Sequence, residues 1–398
     1  MKRFALILSL AAVSLLSGAT VPHKARIPDV PGYTVLKGDF HIHTNFSDGA
    51  VWPATRADET AYDDLDFFAI TDHVETHHQH MLNDFKAMVN RNSSYEVAAK
   101  QAKKYGILVI HGAELTRGAR TFPGHFNTHF ISDGDAIAAE AEAHDGKYGA
   151  DEVKQEEEAI KAGLKEARRQ NAFITWNHPD WEMQAPNETK WWPIHTELWK
   201  AGLIDGIEIY NSYVGYDPEA FHWAMQKDLA ITTGTDAHKP MFQMVDYEKG
   251  EYRPMTLVYV KERSLDGIRA ALEARRTVAV ADGCVYGKEE NIRPLLEACL
   301  EISNVKYTEK KVSFTLCNKS TIPVLLAKAP GSEMLTYARK IAVNELEELS
   351  VSVNGTDSRK PIGINEFDVH FHVTNWLTDA DTPLELTWHF SMPDKYRK

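Results

Sequence analysis

Residues 38–48 read GDFHIHTNFSD, and the rest of the chain is organised around this stretch. His41 and His43 stand two apart at the end of an extended, apolar run. Because alternate residues of a strand share one face, both imidazoles are predicted to point the same way. Asp48 follows in a short polar turn. Two ring nitrogens and a nearby carboxylate make half of a site for a divalent metal ion, so the other ligands must come from later in the chain.

A strand followed by a helix recurs along residues 33–280. Short apolar or β-branched runs between turn residues predict strands at 34–43, 66–70, 107–111, 172–176, 206–210, 230–233 and 255–260. Helical patterns between them cover 52–64, 83–104, 153–169, 195–201, 218–227 and 265–275. Such alternation over about 250 residues is typical of an α/β barrel, in which catalytic groups lie at the carboxyl ends of the strands.

Side chains that can bind a metal follow five of these strands. His41 and His43 follow the first, Asp72 and His73 the second, Glu114 the third, His178 the fourth, and Asp236 and His238 the sixth. A single His at a strand end is usually an ordinary polar residue. Five strand ends of this kind on one barrel indicate a shared site.

One further motif leaves two residues open as ligands. The segment GHFNTHF, residues 124–130, holds His125 and His129 four positions apart. It has the composition of a strand or a loop, in which positions i and i+4 share a face. The spacing therefore does not choose between the two imidazoles.

The ordered motifs HIHTNFSDG, ITDH, GAEL, GHFN, NHP and GTDAH resemble the PHP (polymerase and histidinol phosphatase) family of metal-dependent phosphoesterases over about residues 33–285. Within that family the chain is most similar to the secreted phosphodiesterase-like and CehA-like branch, whose Gly-His-Phe-Asn step matches Gly124–Asn127. The resemblance therefore favours His125 over His129. It implies a distorted (β/α)7 barrel with a trinuclear metal site.

The resemblance also implies a role for each ligand. His41, His43, Glu114 and Asp236 would hold a first metal, while Glu114 would bridge to a second that His125 and His178 complete. Asp48, His73 and His238 would hold the third. Glu114, Asp236 and His238 are predicted to be catalytic. All nine positions carry competent ligands, which favours a working site.

The ligand types also indicate the kind of metal and reaction. Imidazole and carboxylate without thiolate suit Zn²⁺, Mn²⁺ or Fe²⁺ and disfavour an iron–sulfur cluster. Such ions make hydroxide available near neutral pH and neutralise phosphoryl oxygens, so no nucleophilic Ser or Cys is needed. We expect a hydrolase of a small organic phosphodiester. The alternatives are a phosphomonoesterase of the histidinol-phosphatase kind, a carbamate or ester hydrolase, and a non-catalytic metal- or phosphate-binding protein of the cell envelope.

Residues near the predicted ligands are candidates for substrate binding. Arg117 and Arg120 follow Glu114 and have the fork geometry for phosphate oxygens, and Lys239 follows His238. It is equally consistent with the sequence that each of the three is a solvent-exposed loop residue with no role in binding. Trp176, Trp181, Trp191 and Trp192 surround the NHP turn and either wall a leaving-group pocket or fill the core. Glu208 and Asn211 are predicted to support the ligands from behind, whereas His77, His78 and His80 are interpreted as lying outside the site.

Composition excludes some ligand classes. The net charge is −13, with no basic block, which argues against a nucleic-acid partner.

Lys2 and Arg3 precede an apolar run and then small residues at 17–19, so residues 1–19 are predicted to be a signal peptide of an exported, periplasmic or extracellular protein. No segment is apolar for long enough to predict a membrane span.

The carboxyl-terminal part changes character. Alternating β-type runs at 311–317, 324–327, 348–353, 369–373 and 384–390 predict a β-sandwich over residues 291–398, after a barrel at 33–285. We expect this second domain to have an accessory role. Cys284, Cys299 and Cys317 have no metal-type spacing, and buried thiols are expected more than a disulfide.

Overall fold

The computed structural model describes residues 24–75, 90–117, 124–144, 147, 151–181 and 189–397, with the side chain of Arg117 excepted. The predicted signal peptide, Arg120 and the three histidines at 77, 78 and 80 lie outside the described residues. So do residues 83–89 of one predicted helix.

Two sets of strands and one set of helices make up the described chain. The amino-terminal domain holds β1 (Thr34–Asp39), β2 (Phe67–Ile70), β3 (Leu108–Arg117), β4 (Gly124–His129), β5 (Phe173–Trp176), β6 (Gly206–Asn211), β7 (Gly215–Tyr216), β8 (Ala230–Gly234), β9 (Met255–Val260), β10 (Thr277–Ala281) and β11 (Cys284–Tyr286). The carboxyl-terminal domain holds β12 (Leu300–Tyr307), β13 (Lys311–Asn318), β14 (Val324–Lys328), β15 (Leu335–Thr336), β16 (Lys340–Val343), β17 (Glu348–Gly355), β18 (Glu366–Asp379) and β19 (Thr382–Ser391). The α-helices are α1 (Pro53–Tyr62), α2 (Ser93–Ala102), α3 (Gly134–Glu142), α4 (Glu152–Arg169), α5 (Pro193–Lys200), α6 (Pro218–Lys227), α7 (Leu265–Glu273) and α8 (Glu289–Cys299).

Burial along the strands separates the two domains. Every residue of β2, β5, β6, β8, β9 and β10 is buried, as expected for barrel strands covered on both faces. In β13, buried and partly exposed residues alternate, as in a sandwich strand with one face in the core. These two patterns explain why the continuous apolar runs and the alternating runs of the sequence fold into different architectures.

The barrel is mixed rather than wholly parallel. Strands β1, β2 and β3 run parallel, as do β5, β6 and β8. Between these sets lies β4, antiparallel to both β3 and β5. On the other side, β9 runs antiparallel to β1 and to β10. The strand β4 comes from the GHFNTHF segment, and its insertion is one source of the distortion.

Hydroxyl groups join β8 to the β9–β10 pair. Thr256 Oγ1 accepts a hydrogen bond from Thr233 N at 2.9 Å and donates one to Thr233 O at 3.1 Å. Thr277 Oγ1 accepts from Ile231 N at 3.2 Å. These side chains therefore satisfy backbone groups at the closing seam of the barrel.

The sandwich has two sheets, and one of them continues the barrel sheet. Its outer sheet has the order β12-β13-β17-β15, and its other sheet contains β16, β14, β18 and β19. Strand β18 pairs with β11 of the barrel through Val285 with Trp376 and Tyr286 with Leu377. One apolar core also extends across both domains, from Leu257 and Val278 to Phe371 and Trp376.

Most predicted elements agree with these bounds to within a few residues. The first strand ends at Asp39 instead of 43, the third continues past 111 to Arg117, and the run at 369–373 is part of the longer β18. In its described part, the helix predicted at 83–104 begins at Ser93. The sequence patterns missed β7, β10, β11, β12, β15, β16, α3 and α8. The three cysteines are free thiols, and Cys299 is buried. Within the described residues, no helix is both long and apolar enough to cross a membrane.

Candidate metal centre

The nine predicted ligands converge at one mouth of the barrel, where the parallel strands have their carboxyl ends and the antiparallel β4 has its amino end. His41 and His43 follow β1, His73 follows β2, Glu114 lies on β3, His125 on β4, and His178 follows β5, with Asp48 in the turn after His43 and with Asp236 and His238 after β8. The chain continues extended past β1, because Ile42 forms a parallel bridge with Ala237. That bridge places the two ligand loops side by side.

Two of the ligands stand on unfavourable backbone conformations. His178 has φ of 28° and Asp236 has φ of 53°, both in the left-handed region that residues with a Cβ avoid. Such conformations persist only where the surrounding structure enforces them, and they are enriched at functional sites.

Glu114 is the centre of the cluster. Its Oε1 atom lies 3.2 Å from His125 Nδ1, 3.5 Å from His41 Nε2 and 3.7 Å from His178 Nε2. Its Oε2 atom lies 3.1 Å from His73 Nδ1 and 3.3 Å from His43 Nε2. One buried carboxylate therefore contacts five imidazoles.

Two further carboxylates organise the rest. Asp236 Oδ1 lies 3.0 Å from His43 Nε2 and 3.2 Å from His41 Nε2. Asp48 Oδ2 lies 3.2 Å from His238 Nε2 and 3.5 Å from His73 Nε2. The side chains thus fall into a buried group around Asp236 and a half-exposed group around Asp48, with Glu114 between them.

The electrostatics follow from this packing. Burial opposes charge on His41, yet the carboxylates of Asp236, Glu208 and Glu114 raise its pKa well above the ordinary value. Burial likewise opposes charge on His73, but Glu114 and Asp48 raise its pKa to about 10. His125 differs, because burial dominates and lowers its pKa to about 4. The pKa of Glu114 is held well below its usual range, since the imidazoles outweigh the effect of burial.

The residues present fit divalent metal ions. Three groups of side chains offer ligand atoms within 4.8 Å of one another: His43, Asp48, His73 and His238; His41, Glu114 and His178; and His41, His43 and Asp236. His43 Nδ1 and Asp236 Oδ1 are buried and make no hydrogen bond within the described part of the chain. An ion such as Zn²⁺, Mn²⁺ or Fe²⁺ requires imidazole nitrogens and carboxylate oxygens that converge on one point. Buried polar atoms without hydrogen bonds are rare in proteins, so these two atoms are free to bind such an ion.

A second layer of polar groups orients these ligands. Glu208 Oε1 lies 3.2 Å from His41 Nδ1, and Glu208 Oε2 accepts from the backbone N of His178 at 3.0 Å. Asn211 Nδ2 donates to Glu208 and to Asp236 Oδ2 at 3.2 Å. The two residues predicted to support the site therefore contact ligands directly. Asn177, which donates to Glu114 at 2.8 Å, was missed by the sequence analysis.

Gly234 provides space that no larger residue would leave. A Cβ atom at this position would collide with the Cβ atom of His41 and with Glu208 Oε1. The sequence shows this Gly within GTDAH, but only the packing explains why a methyl group there would displace a ligand and its supporting carboxylate.

Arg56, which the sequence analysis also missed, ties the ligand loops together. Its buried guanidinium donates to His43 O at 2.9 Å, Ala237 O at 2.5 Å and Lys239 O at 2.9 Å. Its fourth partner is Glu59 Oε2, at 2.8 Å. A single side chain of α1 thus fixes the backbone beside His43 and on both sides of His238.

Replacing Arg56 with Lys should destabilise the protein and weaken metal binding. An ammonium group on a flexible stem lacks the planar fork that reaches three carbonyls at once. We expect the free energy of unfolding in urea to fall by about 3 kcal/mol, because buried acceptors lose their donors. Arg263→Lys, on the exposed surface, is the matched control and should change stability by less than about 0.5 kcal/mol. Equal effects of the two substitutions would contradict the proposed role of Arg56.

The structure distinguishes His125 from His129. Both lie on β4 and face the barrel interior, but His129 is deeper, packed edge-on against Phe40 with ring centroids 5.3 Å apart. Neither of its ring nitrogens forms a hydrogen bond within the described residues. His125 alone of the two contacts Glu114, in keeping with the preference that the resemblance gave.

The other predicted contacts are less well placed. Lys239 is exposed, and its backbone carbonyl, rather than its ammonium, takes part in the site through Arg56. Trp176 is buried in the barrel core beside Trp191 and His195, and Trp192 packs against the same core. Those three tryptophans therefore fill the core, which was the alternative reading.

Trp181 has the position that a substrate contact requires. It lines a cavity of about 270 Å³ together with Glu75, Thr116 and all of the predicted ligands except His41 and His43. Its ring centroid lies 5.5 Å from that of His178 and 6.5 Å from that of Tyr213. Tyr213, which nothing in the sequence singled out, lies 5.9 Å from His238. The two aromatic rings form one wall above the cluster.

Comparison with known proteins gives a match over almost the whole chain. A solved two-domain protein from Bacteroides vulgatus ATCC 8482, described as containing a predicted PHP-like metal-dependent phosphoesterase, is 37% identical, with 94% of this chain and 100% of that chain covered and a TM-score of 0.81. Residues 300–389 match the family model described as an Ig-like domain. Both matches confirm the predicted order of a mixed α/β domain and a β-sandwich.

Other matches are partial. A proposed metal-dependent phosphoesterase from Bifidobacterium adolescentis ATCC 15703 is 16% identical, with 50% of this chain and 87% of that chain covered and a TM-score of 0.37. An amidohydrolase from Chromobacterium violaceum is also 16% identical, with coverages of 51% and 88% and a TM-score of 0.33. Similarity at this level supports no functional argument. Among curated proteins, none matches the chain.

Proposed function

The chain belongs to the family of PHP-like metal-dependent phosphoesterases, and on this premise we propose that it hydrolyses a small organic phosphodiester. The observation that carries the proposal is the convergence of five imidazoles on the buried Glu114 at the mouth of the barrel, with Asp48, Asp236 and His238 beside them. Bound divalent ions would supply hydroxide at neutral pH and neutralise the phosphoryl oxygens.

The residues of the chain would hold three ions in this proposal. The three groups of convergent side chains support that number, and His41 and His43 each belong to two of the groups. Glu208 and Asn211 would keep His41 and Asp236 in place. His238 stands at the rim beside Tyr213, where it would meet the reacting phosphoryl group. Metal analysis of the purified protein should give about three ions per chain, of the Mn, Zn or Fe kind.

The proposed preference for a diester rests on the likeness to the phosphodiesterase-like branch and is supported by one carboxylate. Glu75, which is outside the proposed ligand set, lines the cavity. A phosphomonoester carries an additional negative charge near neutral pH, which would lie against this carboxylate, whereas a diester carries one. Arg117 and Arg120 stay candidates for contacts with the phosphoryl oxygens, as in the sequence analysis.

The test compares two chromogenic esters. The protein is stripped of metal with a chelator, reloaded with Mn²⁺, Zn²⁺ or Fe²⁺, and supplied with bis(p-nitrophenyl) phosphate or p-nitrophenyl phosphate. We expect turnover of the diester to exceed that of the monoester. Faster monoester turnover would reject the diester preference alone. No hydrolysis of either compound or of p-nitrophenyl acetate, despite full loading, would instead support a non-catalytic envelope protein.

Trp181 should contribute to substrate binding more than to the chemical step. Trp181→Ala removes one wall of the cavity, so we expect KM for bis(p-nitrophenyl) phosphate to rise about tenfold while kcat changes less. Trp192→Ala is the matched control, since Trp192 packs against the core and does not line the cavity. An unchanged KM in the Trp181 variant, or an equal rise in both variants, would contradict this assignment.

We also propose that the protein is exported, on the basis of the basic, apolar and small-residue order of residues 2–19. Cell fractionation combined with determination of the mature amino terminus tests this proposal. Recovery of the full-length chain from the cytoplasm would reject it.

A further inference from the structure

A second cavity lies where the barrel meets the sandwich. Its volume is about 320 Å³, and it shares no lining residue with the cavity at the metal centre. Its walls come from the end of β6, the start of β9, the turn between β10 and β11, residues 25–27, and the loop between β13 and β14. Cavities of roughly this size at domain boundaries are typical sites for small molecules.

Hydrogen bonds between the walls hold the cavity in shape. Arg26 N donates to Thr321 Oγ1 at 2.9 Å, and Thr321 N donates to Arg26 O at 3.1 Å, so the segment before β1 is fixed to the sandwich. Asn375 Nδ2 donates to Gly283 O at 2.7 Å and anchors the turn between β10 and β11. The cavity is therefore preformed, and binding of a ligand would not carry the entropic cost of ordering these segments.

The lining combines apolar and aromatic surface with carboxylates. Ile27, Met255, Val280 and Ile322 supply aliphatic walls, and Tyr210 and Tyr252 supply rings. Asp282, Glu251 and Glu345 also line the cavity, whereas Lys, Arg and His are absent from its described lining. Glu251 and Asp282 are exposed at the edge of the cavity, and Glu345 is partly buried, so the negative charge lies beside an aliphatic and aromatic interior.

Three neighbouring cations are engaged elsewhere. Lys24 and Lys37 pair with Asp64, and Arg253 pairs with Asp39 and Asp63. Tyr210 donates its phenolic hydrogen to Asp282 Oδ2 at 2.9 Å. Burial, together with Asp282 and Glu251, raises the pKa of Tyr210 above its ordinary value, in keeping with a negative potential at this wall.

The carboxylates do not form a metal site. Within the described residues, the groups of side chains whose ligand atoms converge on a common point include none of the three. A hard divalent ion requires several oxygen ligands at one point. Separate carboxylates set among tyrosine rings and aliphatic side chains instead suit a larger cation with an apolar surface.

We propose that this cavity binds a small organic cation, an ammonium group carried on an apolar body. The carboxylates of Asp282 and Glu251 attract the charge, while Tyr210 and Tyr252 offer ring faces to the ammonium and the aliphatic walls receive the body. This ligand is separate from the phosphoester, so the site does not depend on the proposed reaction.

The test measures direct binding of two probes of the same shape. Benzylammonium and benzyl alcohol differ by one charge, and isothermal titration calorimetry or ligand-observed NMR gives their affinities for the full chain. We expect the ammonium compound to bind about tenfold more tightly than the alcohol, with equal affinity in metal-loaded and metal-stripped protein. The double variant Asp282→Asn with Glu251→Gln should lose about tenfold in affinity for the ammonium compound and change little for the alcohol.

Glu248→Gln with Glu262→Gln is the matched control, because it also removes two negative charges and both residues are exposed without lining this cavity. Circular dichroism and thermal melting check that each variant is folded. Equal affinities for the two probes, no binding of benzylammonium at 10 mM (roughly the weak limit of measurable affinity), or wild-type affinity in the folded double variant would each overturn the proposal. Loss of binding on removal of metal would place the probe at the metal centre and would overturn it as well.

Discussion

Replacing Glu114 with Gln should lower kcat/KM for bis(p-nitrophenyl) phosphate by at least about 1,000-fold. The substitution keeps the size of the side chain but removes the charge that faces five imidazoles at 3.1 to 3.7 Å. Its amide hydrogens would also point at nitrogens that must act as ligands. Metal content should therefore fall together with activity, which mass spectrometry of the desalted protein measures.

A pair of histidine substitutions controls for damage to the fold. His125→Asn and His129→Asn change the same residue type on the same strand, four positions apart. We expect the first to lose metal and activity, whereas the second should keep the metal, because His129 contacts none of the carboxylates of the cluster. Retention of metal by Glu114→Gln, or equal loss in both histidine variants, would show that the cluster is organised differently.

Loading the metal-stripped protein should release protons and depend steeply on pH. The pKa of His73 is raised to about 10, and those of His41, His178 and His238 are also raised, in each case because carboxylates outweigh burial. His73 is therefore protonated in the metal-free protein at pH 7, and the other three imidazoles keep a proton to a higher pH than a free imidazole does, so that binding of an ion displaces protons. Each displaced proton makes the apparent affinity fall about tenfold for every unit by which the pH is lowered.

Calorimetric titration in two buffers of different ionisation enthalpy measures the number of protons released. We expect more than one per chain. Whereas the affinity for metal should increase with pH, the free energy of unfolding of the metal-free protein should decrease as the pH rises above neutrality. A raised pKa in the folded state contributes stability that is fully present below about 6.5 and is lost as the pH rises toward about 10. A metal affinity that does not change between pH 6 and pH 8 would contradict this account.

Much of the candidate site was predictable because its ligands follow strands. His41, His73, Glu114, His178 and Asp236 come after apolar runs, and parallel strands bring their carboxyl ends to one edge whatever the intervening sequence. The sequence pattern was ambiguous where that rule does not apply. His125 arrives on an antiparallel strand, so its choice over His129 needed either a family resemblance or the three-dimensional structure.

Other contributors had no sequence signal at all. Arg56 belongs to an ordinary helix, and its importance comes from three carbonyls that only the folded loops bring within reach. Tyr213 follows a strand end but has no metal-ligand chemistry. The tryptophans around the NHP turn are indistinguishable by composition, and only packing separates the three in the core from Trp181 at the cavity. The irregular pairing between Ser303 and Lys306 of β12 and the short strand β16 likewise depend on their partner strands, β13 and β14, and not on the pattern of each strand alone.

The pairing of β11 with β18 has a mechanical consequence. Because a backbone ladder and a common apolar core cross the boundary, the two domains cannot rotate about a flexible linker without breaking hydrogen bonds and exposing Trp376. Access to the metal centre must therefore depend on surface loops and side chains such as Trp181, and not on opening and closing of domains. The shared sheet and core also couple the stability of the two domains, so heat should unfold both in one cooperative transition.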